Sequence, residues 1–151
     1  MKLARWFLYL AGVLLLVTAV AKLASSAGQA RILLERDPVT GFQFRALFRV
    51  VGGIEAAVAL PCFFSKRIWF PAGLVAWLAT SLAAYRFNLW QIGWHKPCSC
   101  LGNFTDALHI PPQTADTAMK IILAYMLIGS YATLFRLWRQ RKKSVHAPTP
   151  A

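Results

Sequence analysis

Four stretches of this chain run for 15 residues or more with at most one charge, and that spacing limits what it can fold into. Arg5 and Lys22 bracket 16 uncharged residues, and Arg67 and Arg86 bracket 18 that are rich in Trp, Leu and Ala. Val50 to Ser65 is uncharged except for Glu55, and Ile121 to Phe135 carries no charge. Each run is a little shorter than the roughly 20 residues that a helix needs to cross a hydrocarbon core, so flanking Lys and Arg are expected to snorkel from the last turn. The expected spans are Trp6–Leu23, Ala46–Phe64, Ile68–Phe87 and Thr117–Leu137. None of the runs alternates with period two, which excludes a closed β-barrel and leaves helices as the way to satisfy the backbone in lipid.

Composition agrees with that reading. Apolar residues make up 58% of the chain and charged residues 15%, too little polar surface to cover four long apolar runs as a soluble bundle. The 17 Lys and Arg against 5 Asp and Glu give a net charge of +12. Together with the hydropathy, this points to a membrane protein with basic ends and not to a nucleic-acid partner. The expected fold class is all-α, a polytopic four-transmembrane-helix bundle over residues 1–138, followed by a basic, disordered tail over 139–151. Gly12, Gly52, Gly53, Gly73 and Gly129 fall inside spans, where they let helix backbones approach. Met1–Arg5, the apolar core and ASSAGQA also follow the order of a cleavable secretory signal, an alternative that leaves the remaining topology unchanged.

Four spans put the N-terminus, the turn after span two and the C-terminal tail on one side. That side holds Lys2, Arg5, Lys66, Arg67, Arg136, Arg139, Arg141, Lys142 and Lys143, with no acid. The other side has nearly as many basic residues, but Lys66-Arg67 in a very short turn and the Arg139–Lys143 cluster are the stronger retention signals. The expected orientation is therefore N-in and C-in, with the loops Ala24–Phe44 and Asn88–Asp116 outside.

The second outward loop contains GWHKPCSCLGNF, with His95, Lys96, Cys98 and Cys100 inside six residues. As a redox pair, Cys98 and Cys100 would close a small, strained and easily exchanged ring, with His95 and Lys96 favouring the thiolate. As a metal site, His95, Cys98, Cys100 and His109 supply four ligands, but at a spacing that matches no common zinc pattern. The third alternative is a pair of inert thiols. Cys62, near the inner end of span two, reads as a small buried hydrophobe. Glu55 is the one acid inside a span, which makes it a functional candidate. It shares a helical face with Gly52, Ala59 and Cys62. Lys22 and Arg49 are its candidate partners, although Lys22 stands high on span one, and the alternative role is a structural interhelical ion pair.

AVAKL at the end of span one, GGIEAAVAL in span two and CSCLGN before the last span together resemble the MauE/DoxX-like redox-associated membrane proteins, over roughly Phe7 to Leu137. The family's CxCFG corresponds to Cys98, Cys100, Leu101 and Gly102, with Leu replacing Phe, and its span-two Glu corresponds to Glu55. The resemblance implies a four-helix bundle in a bacterial inner membrane. It implies work beside a thioredoxin-like periplasmic partner in disulfide formation or electron transfer, methylamine utilisation being one setting. On that expectation Cys98 and Cys100 cycle between dithiol and disulfide, and His95 assists proton transfer. No metal is expected and no cofactor motif is visible, so electrons would pass through a partner or a membrane quinone. The competing expectations are a non-catalytic assembly factor or respiratory-complex subunit, and a small transporter using Glu55.

Overall fold

The computed structural model describes residues 2–28, 31–93 and 112–145. They form α1 (Lys2–Ser26), a short 3-10 helix (Arg31–Leu34), α2 (Phe44–Phe64), α3 (Trp69–Gln91) and α4 (Pro112–Val145). No strand occurs among them. The helix ends follow from local chemistry. Pro71 sits in the first turn of α3 and Pro112 opens α4, both at positions where a missing N–H leaves no intrahelical bond unmade. Gly93, at φ 72°, adopts the left-handed conformation just past the end of α3, and its N–H donates to the Trp90 carbonyl.

α1 and α2 pair antiparallel along a seam of small residues. Gly12 faces Cys62 and Phe63, while Gly52 faces Leu23 and the Ala19 carbonyl; a Cβ on Gly52 would lie 3.2 Å from that oxygen. α3 returns from a short turn after α2 and runs antiparallel to α4, with Thr80 level with Tyr131 and Arg86 level with Asp116. Phe7 of α1 lies over Gly129 and against the Tyr125 ring, which closes the bundle. The resulting order is up, down, up, down, around a core of Leu8, Ala11, Leu15, Val58, Ala59, Val75, Leu78 and Met126, with their neighbours. Apolar side chains such as Val17, Val20, Leu60, Phe70 and Ile128 point outward, the arrangement expected where lipid replaces water.

Two findings bear on the expected spans. Among the described residues, three helices are long and apolar enough to cross a membrane by length and composition, where four spans are expected: α1, α2 and the Asp116–Lys142 part of α4. α3 has the length, at 23 residues, but Trp69, Trp77, Thr80, Ser81, Tyr85, Arg86, Asn88 and Trp90 dilute its hydropathy. In addition, α4 does not stop near Leu137. It continues to Val145 and places Arg139–Lys143 on a helix, so the expected disordered tail is helical as far as residue 145. Lys, Arg and Gln are good helix formers, and no Pro or Gly interrupts the run until Pro148.

Candidate functional site

Two clusters of charged side chains stand out among the described residues. The deeper one joins α1 to α2. Lys22 Nζ lies 2.7 Å from Glu55 Oε1 and 2.8 Å from Oε2, with both side chains buried. Helical side chains lean toward the helix N-terminus, so Lys22 reaches down about one turn from its own backbone to the level of Thr18. That geometry removes the objection that Lys22 stands too high on its helix. The Thr18 hydroxyl lies 3.1 Å from Glu55 Oε2 and 3.0 Å from the Leu15 carbonyl, and donates to one of them at a time. Gly52, Glu55, Ala59 and Cys62 are all buried along one face of α2, as their spacing implies. Arg49 is exposed on another face. The cluster is a matched pair of opposite charges, with two of the three ammonium N–H groups directed at the carboxylate.

The second cluster lies at the opposite end of the bundle from Lys2, around the segment between α1 and α2. Asp37, buried to 1% exposure, starts a turn that ends at Gly41, whose φ of 73° suits glycine. Asp37 Oδ2 accepts the backbone N–H of Thr40 at 2.8 Å and its hydroxyl at 2.6 Å. Asp37 Oδ1 accepts the hydroxyl of Tyr85 on α3 at 2.7 Å. Leu33, Phe44 and Phe48 form a separate small core, with Leu47 packed against it. The Arg45 guanidinium donates to the Gly28 carbonyl, tying the start of α2 to the end of α1. The next residue of α3, Arg86, pairs with Asp116 at the start of α4, and Lys120 reaches the other Asp116 oxygen at 2.7 Å. Asp116 therefore holds together the two helices that flank the segment carrying Cys98 and Cys100.

Sequence reasoning missed Asp37, Thr40, Tyr85 and the Arg86–Asp116 pair. The turn was readable in D-P-x-T-G, where Asp can accept from the residue three positions on. No spacing rule connects Asp37 to Tyr85, 48 residues away. Cys62 is buried, and its thiol donates to the Val58 carbonyl one turn earlier, as a core residue does. Cys98, Cys100, His95 and His109 lie outside the described residues. Among the described residues, no three His, Cys, Asp or Glu side chains stand together as metal ligands would.

The family model described as methylamine utilisation protein MauE matches residues 1–138, a stretch that takes in all four helices up to Trp138 and both cysteines of the Cys-x-Cys. No curated protein and no solved structure matches the chain.

Proposed function

The chain belongs to the MauE family, and from that premise we propose that it is an inner-membrane thiol–disulfide redox protein with four spans, α3 being the fourth. Its termini face the cytoplasm and its Cys-x-Cys loop faces the periplasm. The observation that carries the reading is the family match, which covers Cys98 and Cys100 in one continuous stretch with the helices. Two further features support it. Arg86 and Asp116 join the helices on either side of the Cys-x-Cys segment. The buried charged pair between α1 and α2, Lys22 with Glu55, is neutralised within the protein, which favours the loop as the place for chemistry over a transporter built on Glu55.

In the exchange step a thiolate of the Cys98–Cys100 dithiol attacks a disulfide of a thioredoxin-like periplasmic protein. One S–S bond of the partner breaks and a mixed disulfide forms. The second thiolate then attacks that bond, leaving a Cys98–Cys100 disulfide and two thiols on the partner. Two electrons move to the partner, and the two protons lost from the cysteines are taken up by the partner thiols, with His95 placed in sequence to relay one. The reverse sequence oxidises the partner.

Trapping tests the proposal. In Cys100→Ala membranes, Cys98 is expected to accumulate a reductant-sensitive mixed disulfide with a thioredoxin-like protein. If neither single-cysteine variant traps such a partner, and the Cys98→Ser/Cys100→Ser variant keeps full activity in its host, the redox reading fails. A non-catalytic assembly factor, whose closed polar core serves as scaffold, would then be the reading that the Lys22–Glu55 geometry favours.

A further inference from the structure

One end of the bundle gathers basic and aromatic side chains that the redox reading does not use. The antiparallel order brings together the start of α1, the turn between α2 and α3, and the end of α4. The sequence segments 1–10, 61–71 and 131–151 contain no Asp or Glu. Lys2, Arg5, Lys66, Arg67, Arg136 and Arg139 are all exposed there. Trp6, Trp69 and Trp138 stand among them, exposed to 77%, 44% and 46%. Lys2, Arg5, Trp6 and Tyr9 lie together along one exposed face of α1. On α4, Arg139 lies over the Phe135 ring at 5.4 Å and Lys142 over the Trp138 ring at 4.2 Å, which holds both cations beside apolar surface.

We propose that this end is a binding surface for the phosphodiester headgroups of anionic phospholipids. Charge complementarity identifies the ligand as an anion, and the exposed tryptophans identify its setting. Indole rings prefer the boundary between hydrocarbon and headgroups, so cations one turn away from Trp6 and Trp138 stand at phosphate depth. A nucleic acid or a soluble anion would meet the charges but would gain nothing from the apolar rim. α4 strengthens the case. Its 34 residues span about 51 Å, well beyond the ~30 Å of a hydrocarbon core. The turns carrying Arg136, Arg139 and Lys142 therefore lie at and beyond the bilayer edge, whichever way the protein is inserted.

The test uses the purified full-length chain in uncharged detergent micelles. Tryptophan quenching is read with brominated phosphatidylglycerol and with brominated phosphatidylcholine at equal mole fraction. The expected result is tighter association of the anionic lipid, by about fivefold for each basic residue engaged. This preference should shrink in 0.5 M NaCl and fall by up to about 25-fold in Arg136→Gln/Arg139→Gln or in Lys2→Gln/Arg5→Gln, each of which removes two basic residues. These side chains are exposed, so the variants are expected to keep the wild-type helical circular dichroism. Equal quenching by the two lipids, or a preference unchanged in both variants, overturns the proposal. Loss of the preference on adding 10 mM inorganic phosphate also overturns it, because it identifies a site for free anions; so does displacement of the lipid by a single-stranded oligonucleotide. Both cysteines of the Cys-x-Cys are untouched, so the result stands apart from that of the trapping experiment.

Discussion

Lys22 of α1 and Glu55 of α2 form a bidentate ion pair inside the bundle, with Nζ at 2.7 and 2.8 Å from the two carboxylate oxygens. Removing one partner of a buried pair strands the other charge, at a cost of about 3–5 kcal/mol, whereas replacing both with apolar groups of similar volume is often neutral or stabilising. Lys22→Met and Glu55→Leu are therefore each expected to destabilise the protein by about that amount in a detergent unfolding titration. The double variant should return to within about 1 kcal/mol of wild type, a coupling that the double-mutant cycle reads directly.

Glycines in the helices are expected to fall into two classes. A Cβ at Gly129 would collide with the Phe7 ring, while one at Gly53 meets nothing within 4 Å. Gly129→Ala should cost about 1–3 kcal/mol through overpacking, and Phe7→Leu in the same chain should recover part of that loss. Gly53→Ala should be neutral or slightly stabilising, since alanine is the better helix former. Thermal unfolding in micelles separates the two.

Tyr85→Phe removes the hydroxyl that Asp37 accepts and leaves a buried carboxylate oxygen without that donor. A loss of about 1–3 kcal/mol is expected from the stranded acceptor, concentrated in the segment between α1 and α2. Hydrogen exchange should locate it, with the Thr40 and Gly41 amides, both bonded to Asp37, exchanging faster while those of α1 are unchanged.

Cys62 is 6% exposed and faces Gly12 of the neighbouring helix. In a Cys98→Ser/Cys100→Ser background, a membrane-impermeant maleimide is expected to leave the protein unlabelled until it is denatured. The wild-type chain, reduced in intact cells, is expected to label at the Cys-x-Cys from outside. Labelling of the double variant in its native membrane would contradict the packing of α1 on α2.

The features legible in the sequence are those set by period and charge. The apolar runs located the helices, and the Gly52, Glu55, Ala59, Cys62 spacing located the buried face of α2. Lys22 was a correct partner for Glu55, reached by the backward lean of helical side chains, a rule of geometry and not of sequence. The parts that were not legible depend on long-range contact. Asp37 and Tyr85 lie on different elements, and nothing in either neighbourhood announces the other. The extent of α4 is not legible either: a basic run reads as a solvated tail, whereas Arg, Lys and Gln extend a helix readily to Val145 once a long apolar segment has nucleated it.

Tyr85 and Arg86 are consecutive, so their side chains leave α3 about 100° apart. One is held by Asp37, between α1 and α2, and the other by Asp116 of α4. α3 has apolar residues spread around its whole circumference, which gives it little reason of its own to prefer one rotation about its axis. Two anchors on different sides supply that reason, because turning the helix to relieve one would pull the other out of reach. The azimuth of α3 is thus set by two carboxylates at its end, and the alignment of α4, bound to the same end, is set along with it.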